Sequence, residues 1–363
     1  FSALLAFGAV LVWSRHLSQA HRRGPGVGVA ALTLLVCAPG VISWSVTVKT
    51  YAATGLLVSV ALLALRRGCE PGGRVGWLAA AGAAVGLAGS IRLFFVPLAP
   101  VLALGLVAWP GAAGRRRDAV GAAALLAGFA AGSLPLLTAW LQDPAVFAFN
   151  NLGYHALRFS ELRDLHSDPT PLVRLGAALA GTARVFAANP YLLGFTALAG
   201  VGLGSLRRAT VEDRRFLRLV GLVSTVFLLG CMAPDPVYDQ YFTAPLVTLA
   251  LPLAAAGLER LTGARPRGLA VAAGCAAAVA VLVLGLQRPG MDPDPVWSFD
   301  SYDRVTREIR QRSGPGDMVF SFWPGYVFGA DRRHFTGMEN QFAIGVSEKL
   351  TPSEKARYRI ADR

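Results

Sequence analysis

The residues of this chain best suited to chemistry are cations, amides and carboxylates that border apolar stretches. Lys49 and Tyr51, in SVTVKTYA, stand where an apolar run begins, and the only other lysines are Lys349 and Lys355. Arg92, in GSIRLFF, sits in a tight turn between two apolar runs. A cation at a lipid boundary costs energy unless it snorkels to headgroups or meets an anion. Either Lys49, Tyr51 and Arg92 anchor the chain in lipid, or they grip the phosphate of a lipid-linked substrate.

A second group lies in FAFNNLGYHALRFSELRDLH, where Phe147, Asn150, Tyr154, His155, Arg158 and Arg163 mix aromatics, amides and cations. The stretch reads as a helix lying in the membrane interface, with or without a binding role for His155 and Arg158. The third group is APDPVYDQYF, which sets Asp235, Asp239, Gln240 and Tyr241 at the mouth of an apolar run. Two carboxylates without a local cation suit recognition of a polar acceptor or sugar, or a divalent cation. An ordinary solvated turn would look the same.

Other patterns point away from chemistry. Gly200, Gly202 and Gly204 lie inside an apolar run instead of after a strand. Like Gly82 with Gly86 and Gly128 with Gly132, they suit close approach of two helices better than phosphate binding. Asp292-Pro-Asp294 mimics a metal-binding DxD but falls in a proline-rich linker. No His, Cys and carboxylate spacing resembles a zinc site, and no nucleophile elbow or P-loop occurs.

The elements that must position these residues follow from composition. Of 363 residues, 54% are hydrophobic and only 16% charged, yet the formal net charge is +13. A globular chain is about 25% charged, so a soluble protein of this size would lack the charge to cover its surface. Disorder is excluded by the hydrophobicity. A disulfide scaffold is excluded because Cys37, Cys69, Cys231 and Cys275 are too few.

Runs near the ~20 apolar residues that a bilayer requires occur at Phe1–Ser14, Val27–Ser45, Thr47–Leu65, Val75–Ile91 and Leu93–Trp109. They recur at Ala119–Leu141, Pro190–Leu206, Phe216–Ala233, Tyr241–Leu258 and Arg267–Leu286. Arginine then alternates between connections. Arg15, Arg22 and Arg23 follow the first run, Arg66, Arg67 and Arg74 the third, and Arg115, Arg116 and Arg117 the fifth. Arg207, Arg208, Arg214, Arg215 and Arg218 follow the seventh, and Arg260, Arg265 and Arg267 the ninth. The other connections carry little more than Lys49, Arg92 and a few arginines in the loop 142–189. Because short Arg-rich loops stay cytoplasmic, the excess charge sets orientation and implies no nucleic-acid partner.

The expected fold is an all-α polytopic membrane protein of about ten spans, with a small α/β extracytoplasmic C-terminal domain. Residues 1–286 form the membrane domain, including an outer loop at 142–189, and 287–363 form the tail. In the tail, Asp300 or Ser301 would cap a helix through Arg312, SGPGD makes a turn, and MVFSFW reads as a strand. Phe1 opens in mid-run at the outer face, so at least one further span is expected before it, and the tail ends without a closing element.

Four stretches carry a resemblance: SALLAFGAVLVWSRHLSQAHRR, SWSVTVKTYAATGLLVSVALLALRRG, YDQYFTAPLVTLALPLAAAGLERL and PGDMVFSFWPGYVFGADRRHFTGMENQFA. They resemble spans, turns and tails of the GT-C membrane glycosyltransferases, in particular the protein O-mannosyltransferase and aminoarabinose-transferase-like group (glycosyltransferase family 39). The resemblance implies inverting transfer of a sugar from a polyprenyl-phosphate donor at the outer face of a bacterial plasma membrane. It implies donor-phosphate binding by Lys49, Tyr51 and Arg92. It also implies a general-base Asp in the loop after the family's first span, a position that would precede Phe1. The alternatives are a transporter or lipid flippase, which would show repeated halves and mid-membrane charge, and a membrane scaffold whose tail binds an envelope partner.

Overall fold

The computed structural model describes residues 8, 12, 50–111, 114–154, 157, 171–232, 237, 239–262, 299–321, 323–335 and 345–360. Lys49, His155, Arg158, Arg163, Asp235 and the Asp292–Asp294 linker therefore lie outside the described residues, as do most of the first, second and tenth apolar runs. The chain divides into two compact units. One comprises 1–137 with 172–286, and the other 138–171 with 287–363.

The first unit is helical. Helix α1 spans Tyr51–Cys69, α2 Val75–Ile91, α3 Leu98–Ala108 and α4 Arg115–Gly132. Helix α5 (Leu134–Gln142) runs into the second unit, which holds α6 (Pro144–Ala148); in the first unit α7 then spans Pro171–Ala188, α8 Pro190–Gly204, α9 Val211–Met232 and α10 Val247–Thr262. Charge at the helix ends matches the helix dipole: Arg66 and Arg67 occupy the last turn of α1, while Glu212 and Asp213 occupy the first turn of α9. Thr210 caps α9, receiving the Asp213 amide at 3.2 Å and donating its hydroxyl to the Asp213 carboxylate at 2.8 Å.

This is a helical membrane protein. Among the described residues, α1 and α9 are each long and apolar enough to cross a membrane. Two bent pairs raise the number to four if each is one span: α4 with α5, bent by 49°, and Leu175–Ala188 with Tyr191–Arg207, bent by 104°. The physical reasons for the shorter spans are local. Pro97 heads α3, so the run from Leu93 begins with a 3-10 turn at Leu93–Phe95 and leaves only 11 residues of α-helix. Asn189-Pro190 separates α7 from α8.

The expected loop 142–189 differs from the structure. Its last third is the apolar helix α7, which belongs to the first unit, while 138–171 belongs with the tail. Contacts inside the second unit explain that grouping. Phe149 stacks on Tyr358 with ring centroids 4.2 Å apart, Lys349 Nζ donates to the Leu157 carbonyl at 3.2 Å, and Arg359 pairs with Asp143 at 3.4 Å. Phe149, Val346, Leu350 and Ile360 are buried together, with Tyr154 packed against them.

Glycines set the helix spacing in the first unit. A Cβ on Gly82 or Gly86 would penetrate the α4 backbone at Leu125 and Phe129, and one on Gly128 or Gly132 would penetrate α2 at Ala79 and Ala83. Gly202 of α8 and Gly257 of α10 meet in the same reciprocal way at Leu253 and Leu198. Lipid tails are as apolar as Leu, so close backbone packing substitutes for the hydrophobic drive between helices. Of the glycine trio, Gly202 makes this contact, Gly200 faces open space, and Gly204 abuts the Arg260 guanidinium.

The described part of the tail holds α11 (Phe299–Arg312), α12 (Pro324–Gly329) and α13 (Pro352–Tyr358). Strands β1 (Met318–Val319) and β2 (Arg333–His334) pair in parallel, so only two residues of MVFSFW join a ladder. Tyr302 donates to the Gly325 carbonyl at 3.3 Å and its ring meets Trp323 edge-on. Arg332 ties the end of α11 to β2 through the Ser313 carbonyl at 2.7 Å. A capping box opens α13: the Thr351 amide donates to the Glu354 carboxylate at 2.8 Å, and the Glu354 amide returns to the Thr351 hydroxyl at 3.3 Å.

Two outcomes are expected. Gly82→Val and Gly128→Val should each lower the melting temperature of the detergent-solubilised protein, because the obstructing atoms are backbone and the cost should exceed the ~1–3 kcal/mol of ordinary overpacking. Gly200→Ala should leave melting unchanged or raise it slightly; equal losses at all three sites would refute the packing account. At α13, hydrogen bonds from the Thr351 backbone and then from its hydroxyl hold the Glu354 carboxyl below its usual 4.5. A depressed folded-state pKa contributes stability that is full above the unfolded value and lost as pH falls through the folded one. Amide protection in Pro352–Tyr358 should therefore fall below pH 4.5, and Glu354→Gln should abolish that pH dependence in hydrogen-exchange measurements.

Candidate functional site

The helix ends of the first unit sort into two groups by their contacts. At one end, Arg66 of α1 pairs with Asp213 of α9, and its guanidinium lies 5.5 Å from the Phe216 ring centroid. Arg215 of α9 pairs with Asp118 of α4 at 2.6 Å and donates to the Leu106 carbonyl of α3 at 3.0 Å. Arg117 donates to the Gly73 carbonyl between α1 and α2. Among the described residues, the arginine-bearing connections that follow the third, fifth and seventh runs thus converge on one end.

At the other end, the first turn of α1 meets the last turn of α2. Arg92 closes α2, its amide bonded to the Ala88 carbonyl at 2.8 Å, where a cation complements the helix dipole. Its Nε donates to the Thr50 hydroxyl at 2.6 Å, and its guanidinium carbon lies 3.9 Å from the centroid of the Tyr51 ring. Tyr51 is only 2% exposed, so its ring is a largely desolvated platform, the setting in which cation–π attraction is strongest.

Arg92 is half-buried, and among the described residues Nε is the one guanidinium nitrogen engaged in a hydrogen bond. No carboxylate whose side chain the structure describes pairs with it. The amides of the first turn of α1 lack acceptors within their own helix, as at every helix start, and carry a partial positive charge. A guanidinium fixed by a hydroxyl and a ring beside such a helix start suits an oxyanion, which could take the outward N–H groups in bidentate fashion.

Aromatic side chains wall this end. Phe94 stacks on Tyr241 with centroids 5.0 Å apart, and Phe95 lies 5.2 Å from Phe227. The Tyr241 carbonyl accepts a weak bond from the buried Cys231 thiol at 3.5 Å. No protein-family model, curated protein or solved structure matches this chain. The reading of the site therefore rests on its own residues.

Of the residues singled out from sequence, Tyr51 and Arg92 are in direct contact, and Tyr241 stands at the same end through Phe94. Gln240 is half-buried in the turn Asp239–Tyr241, which also holds the Asp239 backbone. Phe147, Asn150 and Tyr154 belong to the second unit, where Tyr154 packs on the cluster around Phe149 and the Phe147 carbonyl accepts from Asn151 at 2.8 Å. Among the described residues no group of three or more His, Cys, Asp or Glu side chains could hold a metal ion.

Sequence reasoning missed two partners. Thr50, one residue from each predicted site residue beside it, orients Arg92. Asp118, at the end of the Arg115–Arg117 run, is the buried counter-ion of Arg215. An acid placed directly after three arginines at a helix start was the available signal.

Proposed function

We propose that the protein transfers a sugar from a polyprenyl-phosphate donor to an acceptor at the outer face of a bacterial plasma membrane. The observation that carries this reading is the half-buried Arg92 guanidinium, oriented by Thr50 and Tyr51 with its outward N–H groups uncommitted, at the end opposite the arginine-rich connections. The arginine-rich end faces the cytoplasm by the positive-inside rule, which puts Tyr51, Arg92 and Tyr241 outside, where lipid-linked sugars rather than nucleotide sugars serve as donors. The fold that goes with this reading is a GT-C-like bundle of about ten spans whose tail is extracytoplasmic.

In the reaction, an acceptor oxygen attacks the anomeric carbon while the bond from that carbon to the phosphate oxygen breaks. The proton passes to a carboxylate base, and the electron pair leaves with the lipid phosphate. Arg92, together with Lys49, which directly precedes its partner Thr50 in sequence, stabilises the charge that develops on the departing phosphate. The apolar carrier remains in lipid beside the Phe94 wall.

Two experiments test this reading. Membranes containing the full-length protein should move radiolabelled sugar from the lipid carrier to an acceptor. Arg92→Ala and Lys49→Ala should each raise the apparent donor constant about tenfold, the equivalent of one charge-assisted hydrogen bond. Absence of transfer with every carrier tried, together with substrate uptake into proteoliposomes, would replace it with the transporter or flippase reading. Sidedness is separable. In a variant whose native cysteines are replaced, an impermeant maleimide applied to intact cells should label Thr50→Cys and spare Pro71→Cys, both at exposed positions; the opposite pattern would invert the membrane orientation.

A further inference from the structure

The arginine-rich end of the first unit contains a cavity of about 30 Å³, bounded by the end of α1, the starts of α2, α4 and α9, and the exposed α1–α2 turn at Pro71. At ~10–15 Å³ per water-sized group, it has room for about two such groups. Arg215 lines it, is 7% exposed, and has no acceptor for its Nε among the described residues. A buried donor left unmet is costly, and it marks a place for an acceptor oxygen.

The charges around the cavity determine what kind of acceptor fits. Asp118 is consumed, since one oxygen takes Arg215 at 2.6 Å and the other takes the Gly111 amide at 2.8 Å. Glu70 faces Arg66 at 4.0 Å and Arg67 at 3.6 Å. Arg117 bonds only the neutral Gly73 carbonyl among the described residues, so its charge is uncompensated there. Glu212, half-buried in the first turn of α9, opposes it. Three helix N-termini add partial positive charge.

We propose that this cavity is a binding site for a phosphate-bearing anion, held by Arg117 and the Arg215 Nε and presented from the cytoplasmic side. Basic pockets between helix ends on that side are suited to anionic headgroups, so the source is either a lipid phosphodiester or a soluble phosphate. The site is independent of the transfer chemistry at the opposite end. Its cytoplasmic location rests on the orientation proposed above, whereas binding itself does not.

The test uses the full chain in detergent micelles, where both ends are accessible and orientation is irrelevant. Phosphatidylglycerol and inorganic phosphate are titrated separately, following thermal stabilisation and retention in native mass spectra, in an Arg92→Ala background that removes the other anion site. At least one probe should bind. Arg117→Gln should weaken it about tenfold, and Glu212→Gln should strengthen it several-fold by removing a lining negative charge. Binding of phosphatidylglycerol alone assigns a lipid headgroup, and binding of phosphate assigns a soluble group. Binding of neither probe, binding indifferent to Arg117→Gln, or binding weakened by Glu212→Gln would each overturn the proposal.

Discussion

The pairing of Arg215 with Asp118 is the constraint on which the arginine-rich end depends. Among the described residues of the first unit, these are the charged side chains that are buried, at 7% and 5% exposure. Removing either would leave an uncompensated buried charge, which costs about 3–5 kcal/mol. The pair also spans four segments: α9 carries the arginine, α4 the aspartate, α3 supplies the Leu106 carbonyl, and the Gly111 amide completes the carboxylate. Gly111 carries no Cβ because the Arg215 guanidinium occupies that space. Beside this tie, the glycine faces of α2 and α4 meet in a register of their own.

That register carries through to the other end. Gly82 and Gly86 lie on the same α2 whose last turn presents Arg92. Helix α2 packs along α1 as well, and there Arg92 meets the Thr50 hydroxyl and the Tyr51 ring. The polar tie at one end and the small-residue contact in the middle share α4.

Much of this was legible in the sequence. Glycine spacing announced the close helix faces, because only a missing side chain permits such approach. Arginine alternation announced which connections share an end, because charge resists burial in lipid. Tyr51 and Arg92 announced themselves as polar groups bordering apolar runs. The long-range pairings were not legible: Asp118 and Arg215 are nearly a hundred residues apart, and nothing local marks one as the partner of the other. The helix at Pro171–Ala188 was hidden for a different reason. Arg174 and Arg184 interrupt its hydropathy, so it read as part of a polar loop. The aromatics of the segment before it fit a membrane interface, yet Phe149 and Tyr154 pack with Val346, Leu350 and Ile360. Periodicity identifies an apolar face but not what covers it.

The two ends differ in how they treat positive charge, and that difference bears on function. At the arginine-rich end Arg66, Arg67 and Arg215 meet carboxylates, whereas Arg117, on the cavity wall, meets a neutral carbonyl. At the other end Arg92 is held by a hydroxyl and a ring. Neither partner cancels its charge, and both restrict its motion. An arginine serving only as a lipid anchor gains nothing from being immobilised, because snorkelling requires a flexible stem. A guanidinium that must meet a phosphate in one orientation gains from losing its rotamer freedom before binding, which lowers the entropic cost of capture. The contacts and uncompensated charge of Arg92 are those that the proposed recognition of an anion requires.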